Sequence, residues 1–271
     1  MSESCYFFAA LECEAKPLIG HFKLKKETSV SAFSIYRGEN ITLTVTGLGK
    51  AAMAAGIGYS LALYPAEGLP VIFNIGIAGH KKHDLGALFA AEKIIDQDTG
   101  RNFYPQLVSS PPCITQVITT VSQPQLSYPE DTLYEMEASA FYETAVRFTS
   151  SELIQCFKVI SDNQENSSTQ IKPAQVSQWI KEHVITIGEY KHQLMSDARL
   201  SVAADISEYS KLTEQWRFSS NEKIQRQSLL NKYALLTNHQ ALSISVLGAT
   251  TGKEFLKLLR HEIDSYAFGG F

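Results

Sequence analysis

Leu133-Tyr134-Glu135-Met136-Glu137-Ala138-Ser139-Ala140 places two carboxylates either side of a methionine. A small-residue and aromatic pattern follows and predicts a helix to about Phe148. Shortly afterwards, Phe157-Lys158-Val159-Ile160-Ser161-Asp162-Asn163 reads as a strand ending in an acid. Carboxylates so arranged suit two jobs, gripping sugar hydroxyls and donating a proton. A plainer account uses the same residues. Acids at a helix start complement its dipole, and Asp after a strand often caps or turns. Spacing alone leaves both open.

A third acidic point is Glu12-Cys13-Glu14, directly after the apolar run Cys5–Leu11. That run fits a strand buried on both faces, and strand ends are where open α/β sheets build sites. The segments 31–36 and 41–46 read as a hairpin turning through Arg37-Gly38-Glu39-Asn40. Gly47-Leu48-Gly49-Lys50 then leads into a helix over 51–63, stopped by Pro65. Strand, Gly-x-Gly and helix can cradle an anion, but this is not a full P-loop, and a tight turn explains it as well. Val71–Gly79 is a further buried strand whose Gly76 and Gly79 permit close approach to a ligand. Strands follow within 85–96 and at 114–121, separated by a loop over 98–112 in which Phe103 and Tyr104 either cover a ligand or pack the loop down.

These elements predict an α/β fold with a mixed sheet covered by helices on both faces. Pro173 to about Leu200 reads as one long helix, with Trp179, Ile180, His183, Val184, Ile187 and Leu194 on its apolar face. The remainder changes character. Two helices are expected over 205–236, broken near Ser219-Ser220-Asn221, then a short strand or turn at 242–248 and an amphipathic helix over 252–263. Residues 1–200 are therefore expected to form the functional domain, with 201–271 a helical extension packed on it.

Composition narrows the partners. The chain has 271 residues, 44% hydrophobic, enough for a sizeable core. Its net charge of −4 argues against nucleic acid as a main partner. Cys5, Cys13, Cys113 and Cys156 form no Cys-x-x-Cys pair and no zinc spacing, so no metal and no cofactor is expected. His80 and His83 flank Lys81 and Lys82 and read as a solvated charge cluster. No run of about 18 apolar residues and no secretion signal is visible, so the expectation is a cytoplasmic protein without a membrane partner.

With these residues in place, about 3–198 resembles the nucleoside phosphorylase/nucleosidase superfamily, most nearly the 5'-methylthioadenosine/S-adenosylhomocysteine nucleosidases. Four matches in order carry the resemblance: Ala10-Leu11-Glu12-Cys13-Glu14, Thr46-Gly47-Leu48-Gly49-Lys50, Asn74-Ile75-Gly76-Ile77-Ala78-Gly79, and Glu135-Met136-Glu137-Ala138 with Ile160-Ser161-Asp162. The resemblance implies a single three-layer α/β domain with a mixed, partly barrel-like sheet. It implies cleavage of the N-glycosidic bond of a purine nucleoside or a 5'-modified relative. Asp162 would protonate the purine at N7, Glu137 bind the ribose diol with Met136 against the sugar, and Glu14 activate water, with Lys158 a further catalytic candidate and Glu135, Gly76 and Ile77 further substrate-binding candidates. A homodimer or larger homo-oligomer is also implied.

The departures are specific. Ile77 stands where the family usually has Ser or Thr, and Lys158 where it usually has Arg, which loses the planar fork. Pro124 or a neighbour falls where an aromatic residue stacks on the base. No phosphate-binding arginine is visible over 12–18, and Glu14 would repel phosphate, which favours hydrolysis over phosphorolysis. A phosphorylase and a non-catalytic nucleoside-binding protein are the alternatives.

Overall fold

The computed structural model describes residues 4–66, 68–125, 127–202, 206–237 and 240–268. Its first strand, β1 (Cys5–Ala9), is buried throughout. Cys5, Phe7 and Ala9 face one apolar layer, while Tyr6 and Phe8 face the other. Apolar residues at every position are what a strand covered on both faces requires. β1 runs parallel to β4 (Ile41–Val45) on one side and to β5 (Val71–Gly79) on the other.

β5 starts a closed circuit. It pairs in parallel with β10 (Ile154–Asp162), and β10 lies antiparallel to β6 (Leu88–Asp96). β6 is parallel to β8 (Ile114–Thr120), and β8 to β9 (Leu133–Glu135). β9 returns to β5 through the pair Gly79–Tyr134. Closure leaves these strands no open edge. Outside the circuit, β3 (Ser34–Arg37) forms the expected hairpin with β4 and also pairs with β2 (Lys25–Lys26). β7 (Asn102–Phe103) adds to β6 inside the segment expected to be all loop.

Helices cover both faces. On one, Leu18 of α1 (Glu12–His21) and Val176, Ile180 and Ile187 of α4 (Pro173–Val202) pack with Phe7, Phe73 and Phe157. The rings of Phe7 and Phe73 stack at 4.9 Å. On the other, Met53 and Ile57 of α2 (Lys50–Leu63) and Phe141 of α3 (Ala138–Ala145) meet Phe8, Ile72 and Ile160. Burying each such side chain contributes about 1.5–3 kcal/mol.

Two elements correct the sequence reading. The Glu-Met-Glu segment is not a helix start throughout. Glu135 ends strand β9, and the helix begins at Ala138. α1 is not among the elements expected from the sequence, and Pro17 lies inside it. Proline has no N–H for the carbonyl four residues back, which leaves the Cys13 oxygen without its helical donor. The Ser177 hydroxyl on α4 donates to that oxygen at 2.7 Å.

The chain divides into two compact units, Met1–Ala198 and Arg199–Phe271. The second contains α5 (Ser207–Leu212), α6 (Ser220–Thr237), α7 (Ile244–Leu247) and α8 (Gly252–Phe268). Trp216, Leu230, Tyr233, Phe255 and Leu259 form its core, with Trp216 stacked on Phe255 at 4.8 Å. α6 opens on a reciprocal cap: Ser219 N–H donates to Glu222 at 2.8 Å, and Glu222 N–H to the Ser219 hydroxyl at 3.4 Å. Of the strand or turn expected over 242–248, residues 244–247 form a single helical turn, capped by the Ser243 hydroxyl at the Val246 amide. Asp205 lies outside the described residues, as do the side chains of Leu200, Ile224 and Leu236. No described helix is long and apolar enough to cross a membrane.

Candidate active site

Glu14 sits in the first turn of α1, where the end of β1 delivers the chain. Its carboxylate is buried and accepts two backbone amides, Leu11 at 2.8 Å and Ile77 at 3.0 Å. Burial pushes its carboxyl up from the ordinary range, against the opposing pull of Lys158 and those amides. β5 makes room for it at Gly76. A Cβ there would stand 3.0 Å from Glu14 Oε1 and 3.2 Å from Lys158 Nζ.

Lys158 projects from β10 and pairs with Glu135 at 2.9 Å, both side chains 1% exposed. Burial alone would lower the ammonium. Glu135, Glu137 and Glu14 reverse that and hold it above the ordinary lysine range. Glu135 has no free valence. Besides Lys158 it accepts the Glu137 amide at 3.0 Å, the Ala138 amide at 2.8 Å and the Thr120 hydroxyl at 2.6 Å. It therefore caps α3 and neutralises the buried lysine.

Glu137 immediately precedes α3 and accepts the Gly49 amide at 2.7 Å. Gly47 and Gly49 have φ of 87° and 93°, a region costly for other residues. The Gly-x-Gly turn thus cradles an anion, and the anion is the protein's own glutamate. Burial first, then repulsion by Glu135, raise the Glu137 carboxyl to about 7. Met136, half-buried, packs with Val121, Tyr128 and Tyr134.

Asp162 ends β10 beside the glycine end of β5. The Ser161 hydroxyl contacts its Oδ1 and the Tyr128 hydroxyl its Oδ2, while its carbonyl accepts the His80 amide at 3.0 Å. Tyr128 lies in the Pro/Gln/Ser loop after β8 and is not among the candidate residues the sequence points to. The usable signal is that it is the one aromatic residue of 122–130.

Glu14, Ile77, Gly79, Met136, Glu137 and Asp162 line one cavity of about 140 Å³, with Glu135, Leu48, Val121 and Pro124. Gly76 and Lys158 are not among the lining residues and stand behind the wall. Three sequence-distant segments, at 14, 137 and 162, thus converge on one space.

The histidine pair does not match its expected solvated cluster. His80 is 1% exposed and stacks on His83 at 3.8 Å. Its Nδ1 accepts the Lys82 and His83 amides, both at 3.1 Å, which folds the turn inward. Its Nε2 lies 3.3 Å from Asp131, yet burial and His83 lower its pKa to about 4, so the imidazole is neutral at neutral pH. Phe103 packs on Tyr142 at 5.8 Å, whereas Tyr104 is 61% exposed. The four cysteines are free thiols, and no described group of side chains has a metal-binding arrangement.

No protein-family profile matches this chain, and no curated protein does. Solved structures do. Arabidopsis thaliana 5'-methylthioadenosine nucleosidase matches with TM-score 0.60 at 15% identity, over 72% of this chain and 98% of its own. The 5'-methylthioadenosine/S-adenosylhomocysteine nucleosidase of Neisseria meningitidis, in complex with methylthio-immucillin-A, matches with TM-score 0.57 at 17% identity, over 69% and 99%. Helicobacter pylori futalosine hydrolase matches with TM-score 0.54 at 13% identity, over 72% and 99%. At these identities the likeness is one of fold, and the chain has the fold of the 5'-methylthioadenosine nucleosidases.

Proposed function

We propose that this protein hydrolyses the N-glycosidic bond of a purine nucleoside or a 5'-modified nucleoside. The observation that carries the reading is the convergence of Glu14, Glu137 and Asp162 on a single cavity. As the C1'–N bond breaks, its electron pair leaves with the base and the sugar becomes oxocarbenium-like. Asp162 gives its proton to N7 of the departing purine, so that the base leaves neutral. Water adds to C1' and loses a proton to Glu14. Glu137 holds the ribose diol, with Met136 against the ring. Lys158 acts from behind and Glu135 from the cavity wall, fixing the start of α3 and the positions of Glu137 and Glu14.

Charge favours water over phosphate. Glu14, Glu135 and Glu137 surround one ammonium, and that ammonium is already paired with Glu135. An excess of carboxylates stabilises a developing sugar cation and repels a phosphate dianion. Ile77, which lines the cavity, has no side-chain donor to offer a phosphate. The reading includes a homo-oligomer, as the sequence resemblance implies, and a cytoplasmic location. Light scattering measures the former.

The test is base release from a nucleoside panel with and without phosphate. Phosphate-independent release is expected, falling about 10²–10⁴-fold in Asp162→Asn. Strict phosphate dependence makes the protein a phosphorylase. Binding without turnover makes it a nucleoside-binding protein.

A further inference from the structure

Asp162 is held by two hydroxyls, one on each carboxylate oxygen. Ser161 is its chain neighbour. Tyr128 arrives from a loop 34 residues earlier and reaches Oδ2. Tyr128 is 4% exposed, is not among the residues that line the cavity, and packs with Val121, Tyr134 and Met136, which are. Burial and Asp162 both raise its phenol well above the ordinary range, so the hydroxyl keeps its proton.

Its placement is built from several sides. The Tyr128 ring packs on Tyr134 at 5.8 Å. The Tyr134 hydroxyl accepts the Glu130 amide at 3.3 Å, which ties the loop to β9. The Thr132 hydroxyl donates to the Val117 carbonyl at 2.8 Å and ties it to β8. β5 leaves a gap for the contact at Gly79, where a Cβ would fall 2.5 Å from Asp162 Oδ2 and 2.7 Å from the Tyr128 hydroxyl.

We propose that Tyr128 is a positioning residue for the proton donor, fixing the Asp162 carboxyl in the orientation that serves the leaving group. The inference rests on the nucleosidase reading. Tyr128 exchanges no proton on balance. Asp162 loses one to the base and regains one from solvent after turnover, and Tyr128 holds the carboxyl throughout. Without the hydroxyl the carboxyl turns about its side-chain bonds, and proton donation suffers more than sugar binding.

The test separates proton donation from everything else. Tyr128→Phe keeps the ring and its packing. Its activity is compared on a purine nucleoside, whose base leaves with a proton, and on 4-nitrophenyl β-D-ribofuranoside, whose nitrophenolate leaves without one. The expected result is a fall of about 10-fold or more in kcat on the nucleoside, with KM within about twofold and the nitrophenyl riboside rate kept. Equal loss on both substrates, or no loss on either, overturns the inference while wild-type nucleoside cleavage leaves the nucleosidase reading standing. A wild-type protein that cleaves neither substrate removes that reading, and this inference with it.

Discussion

Lys158 and Glu135 meet at 2.9 Å, both 1% exposed, where β10 passes the start of α3. Removing one partner of a buried pair leaves an uncompensated charge and costs about 3–5 kcal/mol. Here the loss is sharpened by Glu14 and Glu137, whose charges Lys158 also offsets. Lys158→Met is therefore expected to lower unfolding free energy by about that amount in urea denaturation. The double variant Lys158→Met/Glu135→Gln should recover at least about 1 kcal/mol of it. A double variant no more stable than the single one shows that the pair is not coupled.

Glu137 makes stability depend on pH. Its carboxyl titrates near 4.5 when unfolded and about 7 when folded. Between those values the folded chain holds more protons than the unfolded one, so stability falls as pH rises through the window. Glu137→Gln removes this titration. The melting temperature of the variant relative to wild type should rise from pH 4.5 to 7 and level off above. A constant difference across that range removes the assignment. Substrate affinity should move the opposite way in wild type. The ionised carboxylate is the better acceptor for ribose hydroxyls, so KM should fall as pH rises through about 7.

Much of this site was legible because its residues end strongly patterned strands. The apolar runs before Glu14 and Asp162 announce β1 and β10, and the glycines of 76–79 announce β5. Other parts left no periodic signal. β9 is three residues long and buried at every position, so Leu133-Tyr134-Glu135 shows no alternation and merges with the helix that follows. α1 contains Pro17, whose cost is offset by a serine 160 residues further on. Residue type and spacing alone do not separate Glu135 from Glu137; only the resemblance gives the diol to Glu137. Their difference depends on Lys158 and Thr120, which the closed sheet brings to one glutamate, and on Gly49, which the turn before α2 brings to the other.

The two glycines of β5 should respond differently to alanine. A Cβ at Gly79 would fall 2.5 Å from Asp162 Oδ2, so the acid or its tyrosine must shift. A displacement near 1 Å can cost about 10²-fold in rate. A Cβ at Gly76 would stand 3.0 Å from Glu14 Oε1, a tight contact that needs only a small movement. Gly79→Ala is expected to lose about 10²-fold in kcat/KM, and Gly76→Ala distinctly less, with circular dichroism unchanged in both. Equal losses would mean that the contact at Asp162 carries no special weight.

Pro17 and Ser177 form a compensating pair that a double-mutant cycle can isolate. The Cys13 carbonyl has no helical donor because residue 17 is proline, and the Ser177 hydroxyl takes that place at 2.7 Å. Ser177→Ala in the wild-type background removes this donor and should cost about 1 kcal/mol. Pro17→Ala restores an amide that can bond the same oxygen within the helix. In that background Ser177→Ala should cost distinctly less, because the carbonyl keeps a partner. The coupling is read from urea denaturation of the four proteins, and an interaction energy near zero would show that Ser177 holds α1 to α4 by some contact other than the Cys13 carbonyl.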